Sequence, residues 1–116
     1  MEILSKIRKR INDEKEPYTF TWDELKEMVD DIKTRYGLIE GRDDDIIILG
    51  VLARIYLILA TDTAKYFKYT QEKESVDRTM TPKVYLELHD RCKKEFMEAV
   101  ANKPAIFGFK KGGNIK

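Results

Sequence analysis

Ile46-Ile47-Ile48-Leu49-Gly50-Val51-Leu52-Ala53-Arg54-Ile55-Tyr56-Leu57-Ile58-Leu59-Ala60 is the stretch that decides the fold. It is apolar almost without interruption, and Arg54 is its single charge. The β-branched run Ile46-Ile47-Ile48 would also suit a buried strand. Length decides for helix: helical residues continue through Thr61-Asp62-Thr63-Ala64 to Tyr66 or Phe67, giving about 20 residues without a turn signal, more than an ordinary strand holds. A helix of about 22 residues rises roughly 33 Å and would cross a domain of this size from side to side. A helix apolar on every side needs neighbours on every side. They are expected either from the other helices, Leu38-Ile39 and the C-terminal tail, or in part from another subunit. The apolar run falls short of the roughly 20 residues a bilayer requires and carries Arg54 in its middle, so no membrane span is expected.

On the N-terminal side, Ile3, Leu4, Ile7 and Ile11 share one face of a short amphipathic helix that stops before Pro17. The next helix carries a start signal: Thr21 as cap, Glu24 closing a capping box, and Phe20 and Leu25 as a hydrophobic staple. Leu25, Met28, Val29, Ile32 and Tyr36 keep helical spacing until Gly37, a left-handed stop. Asp43-Asp44-Asp45 are expected to favour the start of the central helix, where negative charge is stabilised. Beyond the central helix, residues 70–81 are polar and read as a long exposed loop. Thr81-Pro82 then caps a fourth helix whose apolar face is Tyr85, Leu88, His89, Cys92, Phe96 and Val100, ending near Asn102. The glycine-rich remainder reads as an irregular tail.

The fold expected is all-α: a small bundle of three main helices plus a short N-terminal one, in a single domain over residues 1–116. Within it, 1–16 hold the short helix, 21–102 the helical core and 103–116 the tail. With 22 Lys and Arg against 21 Asp and Glu, the net charge of +1 gives no global attraction to nucleic acid or anionic membrane. A charged fraction of 37% beside a hydrophobic fraction of 42% is too apolar for a disordered chain. Cys92 is the single cysteine, which excludes an internal disulfide framework. The N-terminus has no continuous apolar segment of the secretory kind, so a cytoplasmic start is expected.

Candidate chemistry is sparse. His89 and Cys92 lie three apart, as two metal ligands might, but zinc needs further ligands and the chain has no other histidine or cysteine. Core packing is the better reading, and no catalytic residue, metal or cofactor is expected. Asp43-Asp44-Asp45 fails as a calcium loop, since Ile48 and Arg54 stand where an EF-hand has glycine and glutamate. Lys6, Arg8, Lys9 and Arg10 form the densest basic patch. They are the basis of an alternative reading, a small helical nucleic-acid-binding or regulatory module. Tyr66, Phe67 and Tyr69 could stack bases, although such residues more commonly close a helical core.

The order of these parts, with the central helix ending in Ala64-Lys65-Tyr66-Phe67 and Thr81-Pro82-Lys83-Val84-Tyr85-Leu86-Glu87-Leu88 opening an amphipathic helix, resembles the small head–tail connector (adaptor) proteins of tailed bacteriophages. The resemblance covers about residues 21–102 and is one of pattern. It implies a structural virion protein, assembled in the host cytoplasm into a self-associated ring of about a dozen copies. The ring would lie beneath the portal protein, contact the next tail component and pass DNA only as cargo through its channel. Gln71, Lys73, Asp77 and Arg78 of the polar loop are then expected at the channel or an interface. Ile106, Phe107, Phe109, Lys110 and Lys111 of the tail are expected on a partner protein.

Overall fold

The computed structural model describes residues 2–72 and 80–103, and every regular element among them is helical. The order is α1 (Glu2–Arg10), α2 (Trp22–Tyr36), α3 (Asp44–Thr61), α4 (Thr63–Glu72) and α5 (Pro82–Asn102). The all-α bundle with its short first helix is therefore present. The channel and tail residues Lys73, Asp77, Arg78, Ile106, Phe107, Phe109, Lys110 and Lys111 lie outside the described residues, and Gln71 is described only as part of the α4 backbone.

α3 is the axis of the bundle. Its longest contact is with α5, while α2, α4 and α1 cover other sides. Ile47, Val51, Leu52, Ile55 and Leu59 are buried, and Leu57 is its one large side chain left clearly exposed. The neighbours that its apolar composition demands thus come largely from the same chain. Gly50 sits where α3 and α5 cross: a Cβ there would lie 2.8 Å from the Phe96 ring and 3.2 Å from Ile32 Cδ1. Arg54, the lone charge of the apolar run, reaches sideways to Asp31 on α2, which Arg35 also contacts.

The single long helix expected over residues 46–67 is instead two helices, bent by 101° between α3 and α4. The polar triplet Thr61-Asp62-Thr63 explains the break. Asp62 leaves helical geometry (φ −103°, ψ 103°), and its carboxylate accepts from the Lys65 backbone N–H at 3.1 Å, capping α4. Thr61 Oγ1 donates to the Leu57 carbonyl at 2.8 Å and satisfies an end of α3. α4 also takes in Thr70, Gln71 and Glu72, which read as loop in the sequence.

The capping box of α2 is present in both directions, with Thr21 accepting from Glu24 N–H at 3.0 Å and Glu24 accepting from Thr21 N–H at 2.8 Å. Gly37 closes the helix in the left-handed region (φ 64°). At α3 the expected aspartate cap takes another form. Asp43 accepts from the Ile39 N–H at 2.8 Å and Asp44 from the Gly41 N–H at 2.7 Å, so both carboxylates fold the preceding loop and neither caps a helical N–H. Arg42 holds Asp43 in a two-pronged pair, and this guanidinium keeps the Asp43 carboxyl below its usual range despite the opposing effect of burial.

Candidate functional site: an arginine-backed aromatic cleft

The residues between α1 and α2 are organised by Asp13. Asn12 turns the chain with a positive φ of 55°, a conformation asparagine tolerates better than most side chains. Asp13 is thereby placed in the interior, fully buried. Its carboxylate accepts from the backbone N–H groups of Thr19 at 2.9 Å and Phe20 at 3.0 Å, and from Arg8 Nη1 at 3.0 Å. Arg8 Nη1 also donates to the Asp13 carbonyl at 3.1 Å. One carboxylate therefore ties the loop ends together and neutralises the charge of Arg8.

Arg8 is only 2% exposed, which corrects its expected place in the surface basic patch. Its side chain leaves the edge of α1's apolar face and turns inward. The guanidinium carbon lies 3.7 Å from the centre of the Tyr18 ring and 3.9 Å from that of Trp22. The two rings meet nearly edge to face, 5.7 Å apart at 71°, and wrap the cation with their electron-rich surfaces. Lys6, Lys9 and Arg10 remain exposed on α1.

Tyr18 and Trp22 also line a surface cleft of about 570 Å³, completed by Glu16, Pro17, Thr21 and Lys68. α4 is held against this region by Lys65, whose ammonium donates to the Thr19 carbonyl at 2.6 Å and to Glu24 at 2.9 Å and lies 4.9 Å from the Phe20 ring centre. Burial alone would raise the Glu24 pKa, but the Lys65 hydrogen bond and the Thr21 N–H outweigh it and hold the carboxyl below its ordinary value. The next turn of α4 presents Lys68 to the cleft. Trp22 is 41% exposed there, a large fraction for the largest side chain of the molecule.

The other candidates are committed elsewhere. His89 Nδ1 lies 2.7 Å from the Ala53 carbonyl on α3. A carbonyl only accepts, so Nδ1 carries the proton and the imidazole links α5 to α3. Burial, followed by the nearby Glu95, pushes the Cys92 thiol up, which disfavours the thiolate a nucleophile needs. No group of three or more His, Cys, Asp or Glu placed to hold a metal occurs among the described residues. Tyr66 and Tyr69 surround Tyr85, with ring centres 6.1 and 6.2 Å from it, so these two belong to the α4–α5 core; Phe67 is 54% exposed. No single described helix is long and apolar enough to cross a membrane.

The sequence signal for the cleft was an aromatic pair four apart, Tyr18 and Trp22, straddling the α2 cap. The capping box was legible but the pair's arginine partner, ten and more residues upstream, was not, because a charge on a short helix ordinarily faces water. Compared with protein-family models, curated proteins and solved structures, the chain matches none.

Proposed function

We propose that this protein is a structural assembly subunit that works by docking onto other proteins, in the manner of a phage head–tail connector that joins a ring beneath the portal. The observation that carries the reading is the nature of the recess at Tyr18 and Trp22. Its walls are aromatic and apolar with one charge of each sign, a surface suited to recognition. Exposed Leu57, Phe67, Leu86 and Met97 add apolar positions on α3, α4 and α5. His89 and Cys92 serve packing between helices in this reading and the chain does no chemistry of its own. The nucleic-acid reading loses Arg8, which Asp13 neutralises, and retains Lys6, Lys9 and Arg10.

Light scattering on the purified protein, alone and mixed with purified portal rings of tailed phages, tests the proposal. A closed oligomer of high mass, or co-migration with a portal ring, is the expected result. A persistent monomer that ignores portals but binds duplex DNA with a steep salt dependence would overturn it in favour of the nucleic-acid module.

A further inference from the structure

Three polar side-chain atoms near the connection from α1 to α2 are shut away from solvent without a hydrogen-bond partner among the described residues: Arg8 Nε, Arg8 Nη2 and Thr19 Oγ1. Arg8 is 2% exposed and Thr19 not at all, so bulk solvent does not reach them. Buried polar groups in native proteins are nearly always bonded, because an unbonded one forfeits its hydration outright. Three such atoms on two neighbouring residues mark a place that the side chains alone do not satisfy.

The guanidinium shows what kind of group is needed. Nη1 is committed to Asp13, donating to its carboxylate at 3.0 Å and to its carbonyl at 3.1 Å. Nε and Nη2 share another edge of the same plane, close enough together for one oxygen to accept from both. The Tyr18 and Trp22 ring centres lie 3.7 and 3.9 Å from the guanidinium carbon. Ring faces accept N–H bonds only weakly, so they screen this edge from solvent without satisfying it. Thr19 belongs to the same neighbourhood: its N–H donates to one oxygen of the Asp13 carboxylate at 2.9 Å while Arg8 Nη1 donates to the other.

Charge selects the class of ligand. Asp13 already neutralises Arg8, and an anion would bring an uncompensated negative charge into a buried position. The bridging group must be small and neutral, accept from two N–H donors and donate onward to a hydroxyl oxygen. Water meets all of these requirements, with the three bonds typical of a buried one.

We infer that Arg8 and Thr19 form a binding site for one structural water, which accepts from Arg8 Nε and Nη2 and donates to Thr19 Oγ1. The Arg8–Asp13 pair is thereby fully hydrogen-bonded, the condition under which a buried ion pair is tolerated. The site stands apart from the docking reading, since it lies beneath the aromatic rings and needs no partner protein.

The full-length protein is tested first by NMR. Cross-peaks between water and the Arg8 Nε–H, opposite in sign in NOESY and ROESY spectra, are expected from a long-lived bound water. Proton exchange alone gives the same sign in both, and that outcome, or no cross-peak, would overturn the inference. These spectra of the parent decide even where a variant fails to fold. Thr19→Val removes the hydroxyl at nearly constant volume and is expected to lower the folded-to-unfolded ratio about tenfold in urea titrations, the worth of a lost hydrogen bond. A valine variant as stable as the parent, or more stable, would mean that the hydroxyl has no partner and would overturn the site. Thr19→Ser keeps the oxygen and is expected to keep the cross-peaks. Crystals grown with sodium bromide separate water from an anion: anomalous density at the Arg8 edge would assign the site to a halide and overturn the water.

Discussion

The edge of the Phe96 ring on α5 occupies the space a side chain at Gly50 of α3 would need, 2.8 Å from the position of its Cβ. Phe96 cannot retreat freely, because it is 3% exposed and the Tyr36 ring stands edge-on to it at 4.8 Å. Gly50 is thus the price of the close α3–α5 crossing: glycine weakens a helix interior by about 1 kcal/mol relative to alanine.

Gly50→Ala is expected to destabilise the protein despite improving helix propensity. Overpacking a filled core costs about 1–3 kcal/mol, which exceeds the propensity gain of about 1 kcal/mol. Urea unfolding should show a lower midpoint with unchanged slope. The companion Phe96→Leu in the Gly50→Ala background should recover part of the loss, since it removes Cε1, the ring atom nearest the new Cβ. A Gly50→Ala protein more stable than the parent would show that the crossing has slack.

The Arg8–Asp13 pair gives a second expectation. Asp13→Ala leaves a buried guanidinium without its counter-charge and the Thr19 and Phe20 N–H groups without an acceptor. Losing one member of a buried pair destabilises by about 3–5 kcal/mol. Arg8→Met keeps most of the apolar contact with the two rings and should be milder than removing Asp13, because the Thr19 and Phe20 N–H groups still meet the carboxylate. Trp22 emission should shift in both, because its ring loses the cation or the loop that positions it. Thermal melts in which Asp13→Ala matches the parent would refute the organising role of this carboxylate.

How far the sequence carried is clearest at the elements themselves. Phe20, Thr21, Glu24 and Gly37 announced α2 because caps are local: the partners lie within one turn and the pattern is written in consecutive residues. α3 was legible from its apolar run, and Leu52 and Ile55, at 1% and 0% exposure, are as buried as that run demands. The break at Thr61–Asp62 was hidden because threonine and aspartate are tolerated inside a helix, and it is Asp62's carboxylate, turned to Lys65 N–H, that makes them a boundary. The reversed role of Asp43 and Asp44 was hidden for a related reason. An aspartate before a helix can cap it or fold the loop behind it, and only the positions of the Ile39 and Gly41 N–H groups distinguish the two. Arg8 is the least legible of these residues: its burial depends on Asp13, Tyr18 and Trp22 meeting in space.

Tyr69 supplies the last expectation, because it joins the far ends of the helical order. Its hydroxyl donates to the Ile11 carbonyl at 2.6 Å, linking α4 to the end of α1, while its ring packs on Tyr85 of α5. Burial, reinforced by the neighbouring Tyr85, Tyr56 and Asp13, pushes the Tyr69 phenol well above its ordinary value of 10.0. A group whose folded pKa is raised favours the folded state fully while it stays protonated in both states, below the unfolded value of about 10. Above that pH the unfolded chain ionises and the folded one resists, so the contribution is lost as pH rises toward the raised folded value. Alkaline unfolding beginning above about pH 10 is therefore expected, followed by circular dichroism. Tyr69→Phe should lose about 0.5–1.5 kcal/mol at neutral pH, the worth of one hydrogen bond, and should narrow the difference from the parent as the solution is made alkaline. A constant difference between the two proteins from pH 7 to 11 would mean that Tyr69 ionises as readily folded as unfolded, and that its bond to Ile11 holds less of the α1–α4 contact than its geometry indicates.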